Sequence, residues 1–558
     1  MKKMISLLFL VLSSCSIYSG SRNVSSESKS GVRGIAAEEA ALTAEQISVK
    51  DQLLVALNDD AASKRVVNTI DALLPQVQKL AEEGTLKPVI LDVAQKALAA
   101  GKLPPRLTAE NLEENVDLFV ASIENQFVLK GLSQKHPQQY VSWLKASRSI
   151  RDKAQKTSVP PSGPKSKSLF LNPVFIKELE GVAESTFTDA AELRLLVNGT
   201  QSFPAREQLF QNAKSSIYIK TWAIEDDVTG WKFAKLVHEK HKAGVDVRVI
   251  VDWKTARQSV YRKVPEWLSS QGVPVIFWRD PEAPMYAFHK KTIVVDHQHL
   301  IAGGMNFGDV YSHLGPPETP EWRDTDFQAS GSIALTADID FQKEWNSQIK
   351  KNQLPLAPFS VPMSRPAASA STSATRIMAI DLTPNPQIND TILTSIVKGI
   401  EGARKEINIE NAYFIENPAL QNALVRAIKR GVKVRIFTNS MNSIDVPIIA
   451  RPIVEALPIY FRLNAEVYLK KGATLHSKFM TIDNVASWVM SYNHHPQSMR
   501  IQGEVAYVIL DKKFSKQLAD QFIEDTKTIA DRVTDAKMLE LEPSFLDVVL
   551  KRYFFDQL

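Results

Sequence analysis

The pentapeptide Gly244-Val-Asp-Val-Arg248 returns 187 residues later as Gly431-Val-Lys-Val-Arg435. At the same offset His289 returns as His476, Lys291 as Lys478, Asp296 as Asp483 and Asn306 as Asn493. Self-similarity at so long a period means two copies of one domain. Such copies pack about a pseudo-twofold axis, like the contact of a symmetric dimer. Whatever this chain folds into must therefore be built twice. β-prone runs at Ile217–Ile219, Val245–Val251 and Val275–Trp278 match Ile407–Ile409, Val432–Thr438 and Val467–Leu469. Amphipathic helical stretches alternate with them, for example Gly230–His241 and Pro418–Arg430. Each copy reads as an α/β domain.

Two stretches rich in Pro, Ser and Gly or Ala, at 158–167 and 354–375, mark linkers. They predict a linker over 158–180, a first α/β domain over 181–353, a second linker over 354–376, a second domain over 377–540 and a tail over 541–558. Residues 36–157 are rich in Ala, Leu, Glu, Gln and Lys with helical periodicity (Leu53, Leu54, Leu57, then Val66, Val67, Ile70). They read as an all-α N-terminal region with no motif that carries chemistry. At the front, Lys2 and Lys3 precede the apolar run Ile5–Leu12 and then Ser13, Ser14 and Cys15. This is the layout of a secretory leader, too short to span a bilayer as a lasting helix. Cys15 is the sole cysteine, so no internal disulfide forms. The string Leu12-Ser-Ser-Cys15 resembles the lipobox of bacterial lipoproteins. That resemblance implies a leader over 1–14, lipidation of Cys15 and a flexible tether over 15–35. It places the protein in the bacterial cell envelope as a membrane-anchored lipoprotein facing the periplasm, with the outer membrane favoured. A plain leader with an incidental cysteine is the alternative. Hydrophobic residues at 44% and charged residues at 23% exclude a disordered or polytopic membrane chain. The net charge of +5 over 558 residues permits an anionic surface as partner without demanding nucleic acid.

The chemistry lies in HKKTIVVD (289–296) and HSKFMTID (476–483), both His-x-Lys-x4-Asp, each with an asparagine 17 residues after its histidine. With ten histidines and this content of charged residues, chance supplies about 0.13 such strings per chain. Two at the repeat offset are no accident. Apolar flanks predict strands, on which residues i and i+2 share a face, so each histidine would point with its lysine. A lysine ammonium beside a histidine repels a metal cation but suits a phosphate, to which asparagine donates a further hydrogen bond. Two such pairs about one phosphoryl group suggest double displacement. One neutral histidine attacks phosphorus to form a phosphohistidine. The other protonates the leaving alkoxide, then deprotonates water or an alcohol. The lysines and asparagines stabilise the equatorial oxygens. The scheme calls for no metal and no cofactor. His297, His299, His494 and His495 lack a ligand pattern and read as solvated loop histidines. Val446–Tyr460 reads as a helix packed on the second sheet.

These strings resemble the phospholipase D superfamily, and within it the bacterial cardiolipin synthase branch, over roughly Leu195 to Phe522. Further strings carry the likeness: Ile224-Glu-Asp-Asp-Val-Thr-Gly230, Gly303-Gly-Met-Asn-Phe-Gly-Asp309, Ala412-Tyr-Phe414 and Thr438-Asn-Ser-Met-Asn-Ser-Ile-Asp-Val446. The resemblance implies two tandem α/β/α domains, each a mixed sheet flanked by helices, with one site between them. It makes His289, Lys291, Asn306, His476, Lys478 and Asn493 catalytic, with His289 the nucleophile and His476 the acid. It implies that Asp324 and Glu504 each orient the histidine of the opposite half, Asp326 being the alternative to Asp324. Asp296 and Asp483 are implied to hold structure. Ser491 is kept ahead of Asn493, although Met490 replaces the glycine of the family pattern. The activity implied is phosphatidyl transfer or hydrolysis on phospholipid head groups, with phosphatidylglycerol or phosphatidylethanolamine as substrate. Two alternatives stand beside it: a nuclease-type phosphodiesterase, which the small basic excess disfavours, and a non-catalytic membrane-anchored scaffold.

Overall fold

In the computed structural model the described residues are 86–99, 109, 112–113, 116, 146–158, 167–284, 286–360, 375–384, 390–415 and 417–541. Cys15, the leader and the tether lie outside them, as does the tail beyond Leu541. Of the N-terminal region the described residues include helix Leu86–Ala99, in one compact unit. A second, larger unit holds both repeats. Among the described residues no helix is long and apolar enough to cross a membrane.

Strands of the first repeat are β1 (Thr188–Asp189), β2 (Ala191–Val197), β3 (Ser216–Thr221), β4 (Asp246–Asp252), β5 (Val275–Trp278), β6 (Ala287–Phe288), β7 (Thr292–Val295), β8 (His299–Gly303) and β9 (Thr325–Ser330). Those of the second are β10 (Arg376–Leu382), β11 (Glu406–Asn411), β12 (Lys433–Thr438), β13 (Glu466–Lys470), β14 (Lys478–Ile482), β15 (Ala486–Met490), β16 (Gln502–Leu510) and β17 (Ala530–Arg532). The first sheet runs β2-β9-β8-β7-β3-β4-β5. The second runs β10-β16-β15-β14-β11-β12-β13 in matching order, with β17 added at one end and β1 at the other. Both sheets are mixed: β3-β4-β5 and β11-β12-β13 are parallel and the other pairs in this order antiparallel.

The parallel strands need helical crossovers. Helix Val228–Lys242 joins β3 to β4, and helix Pro418–Lys429 joins β11 to β12. Asp227 caps the first, its carboxylate accepting from the Gly230 amide at 2.8 Å, and Asn417 caps the second. Both end at the repeated glycine: Gly244 and Gly431 adopt φ of 89° and 84°, where a side chain would be strained. The valines after each glycine enter the next strand. This turn is why the pentapeptide recurs.

Side-chain alternation explains the layers. On β3, Ile217 and Ile219 face a core shared with Phe210, Phe233 and Leu268 of the outer helices. Tyr218 between them faces a second core. On β8, Ile301 joins the first core, and Leu300 and Ala302 the second. Both faces are thus buried, as sheets covered on each side require. The second core also takes Phe327, Val489, Val505 and Tyr507, with Phe341 and Trp345 of helix Ser332–Asn352 and Phe514 and Phe522 of helix Lys512–Thr528. It is one apolar layer common to both repeats.

The repeats also exchange backbone. β1 pairs antiparallel with β10, and β6 pairs parallel with β16. Within the stretch expected as linker over 158–180, Leu169–Leu171 and the start of helix Pro173–Ala183 are ordered. Phe170 packs edge-on to Trp488 at 5.8 Å, so this segment belongs with the second repeat before the first begins. The single helix expected over Val446–Tyr460 is two, Pro447–Glu455 and Pro458–Arg462. Pro458 starts the second of them, where its missing amide hydrogen costs nothing.

Candidate active site

His289 and Lys291 were expected on a strand. They lie instead in the extended gap between β6 and β7, and His476 stands just ahead of β14, which Lys478 opens. The reason is that the backbone at each histidine pairs with the other repeat. The His289 amide donates to the Gly503 carbonyl at 2.9 Å, and the His476 amide to the Arg323 carbonyl at 2.7 Å. Each approach is pinned from behind. The Asp252 carboxylate, at the end of β4, accepts from the Phe288 amide at 2.7 Å. Asn439, at the same repeat offset after β12, accepts from the Leu475 amide at 2.9 Å. Neither had been singled out in the sequence, although the offset marks both.

The residues after Gly503 and Arg323 are Glu504 and Asp324, so one short segment grips both the backbone and the ring of a histidine. His289 Nδ1 lies 3.0 and 3.1 Å from the two Glu504 oxygens, and His476 Nδ1 lies 2.7 Å from Asp324 Oδ2. Each histidine thus meets the carboxylate of the opposite repeat, and its Nδ1 is engaged, which leaves Nε2 for chemistry. Asp326 sits elsewhere: it pairs with Arg206 at 2.7 Å and accepts from Ser202 at 2.5 Å.

The two carboxylates are accommodated differently. A Cβ on Gly304 would overlap the Asp324 carboxylate, so glycine is needed there. At the matching position Ser491 donates its hydroxyl to Glu504 Oε2. Ser498 donates to Oε1 at 2.6 Å, a contact that had no counterpart in the sequence reading. The approach that needs glycine at 304 in the first repeat is thus replaced by a serine hydrogen bond at 491 in the second, while Met490, at the offset of Gly303, is buried on β15.

The lysines reach back to their own motif. Lys291 Nζ donates to the His289 carbonyl at 2.7 Å, and Lys478 Nζ to the His476 carbonyl, lying 3.0 Å from His476 Nδ1 as well. Burial, then the two lysine charges, hold both histidines well below the ordinary imidazole range, so both rings are neutral at neutral pH. Burial, opposed by Glu504 and reinforced by Lys478, pushes Lys291 down to about 7. Burial pushes Asp324 up to about 6, against Lys478, and Glu504 up to about 7, against Lys291. The site is a set of groups whose protons are easily moved by one added charge.

The asparagines were expected to act alike and do not. Asn306 Nδ2 donates to the Tyr311 hydroxyl at 2.9 Å. Asn493, 1% exposed, has neither amide atom partnered among the described residues. Leaving such a group unsatisfied costs about 1–3 kcal/mol, and a bound anion would remove that cost. Aromatic walls close the site. Trp222 stands edge-on to His289 at 5.9 Å, Trp322 stacks on His476 at 5.4 Å, and Tyr311 meets His476 edge-on at 5.1 Å.

Asp296 and Asp483 are occupied with backbone. Asp296 accepts from the amides of Lys214, Ser215 and Ser216, and Asp483 from those of Arg404, Lys405 and Glu406. Both close the loop ahead of the central strand. His494 and His495 are not solvated: they are 0% and 3% exposed. The chain around Asn493 folds inward, carrying both rings with it. Among the described residues no group of three or more His, Cys, Asp or Glu is placed to hold a metal ion.

Comparison with known proteins agrees with this geometry. The family model described as "Cardiolipin synthase, PLD-like domain" matches residues 207–311 and 396–526, once in each repeat. Cardiolipin synthase A of Pseudomonas syringae pv. syringae (strain B728a) is 27% identical over 341 residues, 60% of this chain and 68% of its own. Major cardiolipin synthase ClsA of Bacillus subtilis (strain 168) is 25% identical over 350 residues, 61% of this chain and 70% of its own. The crystal structure of phosphatidylserine synthase of Haemophilus influenzae Rd KW20 shares the fold, with a TM-score of 0.56 at 15% identity, covering 68% of this chain and 97% of that one. Each repeat of this chain thus carries a region that matches the PLD-like domain of cardiolipin synthases, and the chain is similar to those proteins in sequence and to phosphatidylserine synthase in fold.

Proposed function

We propose that the protein is a phosphatidyltransferase of the cardiolipin synthase kind, acting on phospholipid phosphodiesters through a phosphohistidine. The observation that carries the reading is the pair of buried histidines, each held at Nδ1 by the other repeat's carboxylate, with two lysines and the free Asn493 amide beside them. A phosphodiester is the substrate that such a set fits: it supplies one negative charge between two ammonium groups and an oxygen for the idle amide. The lipid comes from the relatives, two of which are named cardiolipin synthases.

In the first step His289, neutral because buried, attacks phosphorus through Nε2 while Glu504 stabilises the charge that develops on the ring. The substrate's negative charge offsets the lysines that hold His476 deprotonated, so His476 gains a proton, which Asp324 stabilises. His476 gives that proton to the leaving alkoxide. In the second step it takes a proton from the incoming alcohol or water, which displaces the phosphoryl group from His289. Phosphatidylglycerol and phosphatidylethanolamine are the proposed donors. Anchoring of the protein to the envelope through lipid on Cys15 belongs to the same proposal.

The test is lipid mass spectrometry on the purified full chain with vesicles of phosphatidylglycerol and phosphatidylethanolamine, beside His289→Ala and His476→Ala. Cardiolipin or phosphatidic acid formed by wild type alone supports the reading. No lipid turnover, together with cleavage of DNA by the same preparation, would replace it with the nuclease reading. A phosphodiester with a nitrophenol leaving group orders the histidines. Such a group departs without an acid, so His476→Ala should accumulate phosphoenzyme and His289→Ala should not.

A further inference from the structure

His495 is 3% exposed and opens the short helix Pro496–Arg500. Its Nδ1 accepts from the Ser498 amide at 3.1 Å. A backbone amide can only donate, so Nδ1 carries no proton and the ring's hydrogen is fixed on Nε2. The only side-chain hydrogen bond that the ring makes among the described residues is this one at Nδ1, so the Nε2–H makes none. The ring stacks on Tyr413, with centroids 5.7 Å apart and planes 19° from parallel. Lys478 Nζ lies 5.9 Å from the centre of that same tyrosine ring. The ring is within electrostatic reach of Glu504, His289 and Lys478. The turn that carries it also carries Asn493: the His495 amide donates to the Asn493 carbonyl at 2.9 Å, and the Asn493 amide to Ser498 Oγ at 3.2 Å. One compact turn thus presents two idle donors, the Asn493 side-chain amide and the His495 Nε2–H.

We propose that His495 is a substrate-binding residue of this site, its Nε2–H donating to a non-bridging oxygen of the phosphodiester. The proposal rests on the phosphodiester reading of the site and adds a ligand to it. Burial, only partly relieved by Glu504, holds the ring far below the ordinary imidazole range, at about 3, so it donates as a neutral group and adds no charge to the two lysines. The ring has two separable jobs. Nδ1 caps the helix, and any short side chain with an acceptor atom does that. Nε2 reaches the substrate, and a short side chain does not.

His495→Asn separates the two. Asparagine keeps the cap but lacks the distant donor, while His495→Ala loses both. Melting temperature, kcat/KM on phosphatidylglycerol vesicles and the Kd for inorganic phosphate by calorimetry are measured on the full chain. The expected result is a wild-type melting temperature for His495→Asn with kcat/KM and phosphate affinity each lowered about 10- to 100-fold, as for the loss of one hydrogen bond to a charged group. His495→Ala should match it in binding and melt lower. Wild-type kcat/KM and phosphate affinity in His495→Asn would overturn the proposal, leaving the ring a cap only. The phosphate measurement also separates the two readings. A wild type that turns over no lipid yet binds phosphate through His495 would sink the phospholipid assignment and uphold the role of this residue.

Discussion

His494 is the group whose removal should be most informative about how this site is paid for. It is 0% exposed, and neither ring nitrogen has a partner among the described residues. Phe414 meets it edge-on at 5.8 Å and Tyr492 at 6.1 Å. Burial alone pushes its pKa down to about 3. The unfolded chain takes up a proton on this ring near pH 6.5 and the folded chain does not, so the folded state loses stability as pH falls below 6.5. With folded and unfolded values of about 3 and 6.5, the loss between pH 7 and pH 5 is about 2 kcal/mol. His494→Leu, of similar volume, removes the ring and this dependence. It should stabilise the protein by about 1–3 kcal/mol at pH 7, from the unsatisfied nitrogens. At pH 5 the advantage should grow by about 2 kcal/mol. The assay is urea unfolding of both proteins at the two pH values. The many other buried titrating groups cancel in the difference between the proteins. An advantage that is equal at pH 5 and pH 7 would refute the reasoning, because the ring would then be titrating as freely folded as unfolded.

Three further outcomes are expected. Gly304→Ala should drive the Asp324 carboxylate off His476, lowering kcat at least about 100-fold and costing about 1–3 kcal/mol, read from steady-state kinetics and thermal melting. Arg323→Met should cost about 3–5 kcal/mol in urea unfolding, because it leaves Asp525, which Arg323 holds at 2.8 Å, buried without its cation. Glu504→Gln should lose turnover yet gain stability. Burial raises this carboxyl to about 7 from 4.5, so the folded state is penalised as pH rises through that window, by about 3 kcal/mol above pH 7. Glutamine carries no such penalty, and a variant less stable than wild type at pH 8 would contradict this.

The repeat made the histidines, lysines and asparagines legible, because chemistry that needs two of each leaves the same letters at one offset. The parallel strands were legible to within two residues, since Val, Ile and Phe bounded by Gly read as buried strand. The surroundings of His289 were not. An extended segment and a strand have the same local pattern, and only the distant Gly503 decides which it is. Burial of His494 and His495 was misread for a related reason: two histidines and a proline look like a loop, and nothing local says that the loop turns inward. Asp252 and Asn439 were within reach, standing at the repeat offset at the ends of matched strands. Ser498 was not, being six residues from the carboxylate it serves, with no equivalent pairing in the first repeat.

The pairing of β6 with β16 has a consequence for timing. A ribosome that has made the entire first repeat has made His289, Lys291 and Asn306, yet the carbonyl that holds the His289 backbone and the carboxylate that holds its ring come more than 200 residues later, at Gly503 and Glu504. The nascent chain therefore has no competent centre until almost all of it exists. On the function proposed above, the protein is silent throughout its own synthesis, and a chain truncated before β16 is silent permanently.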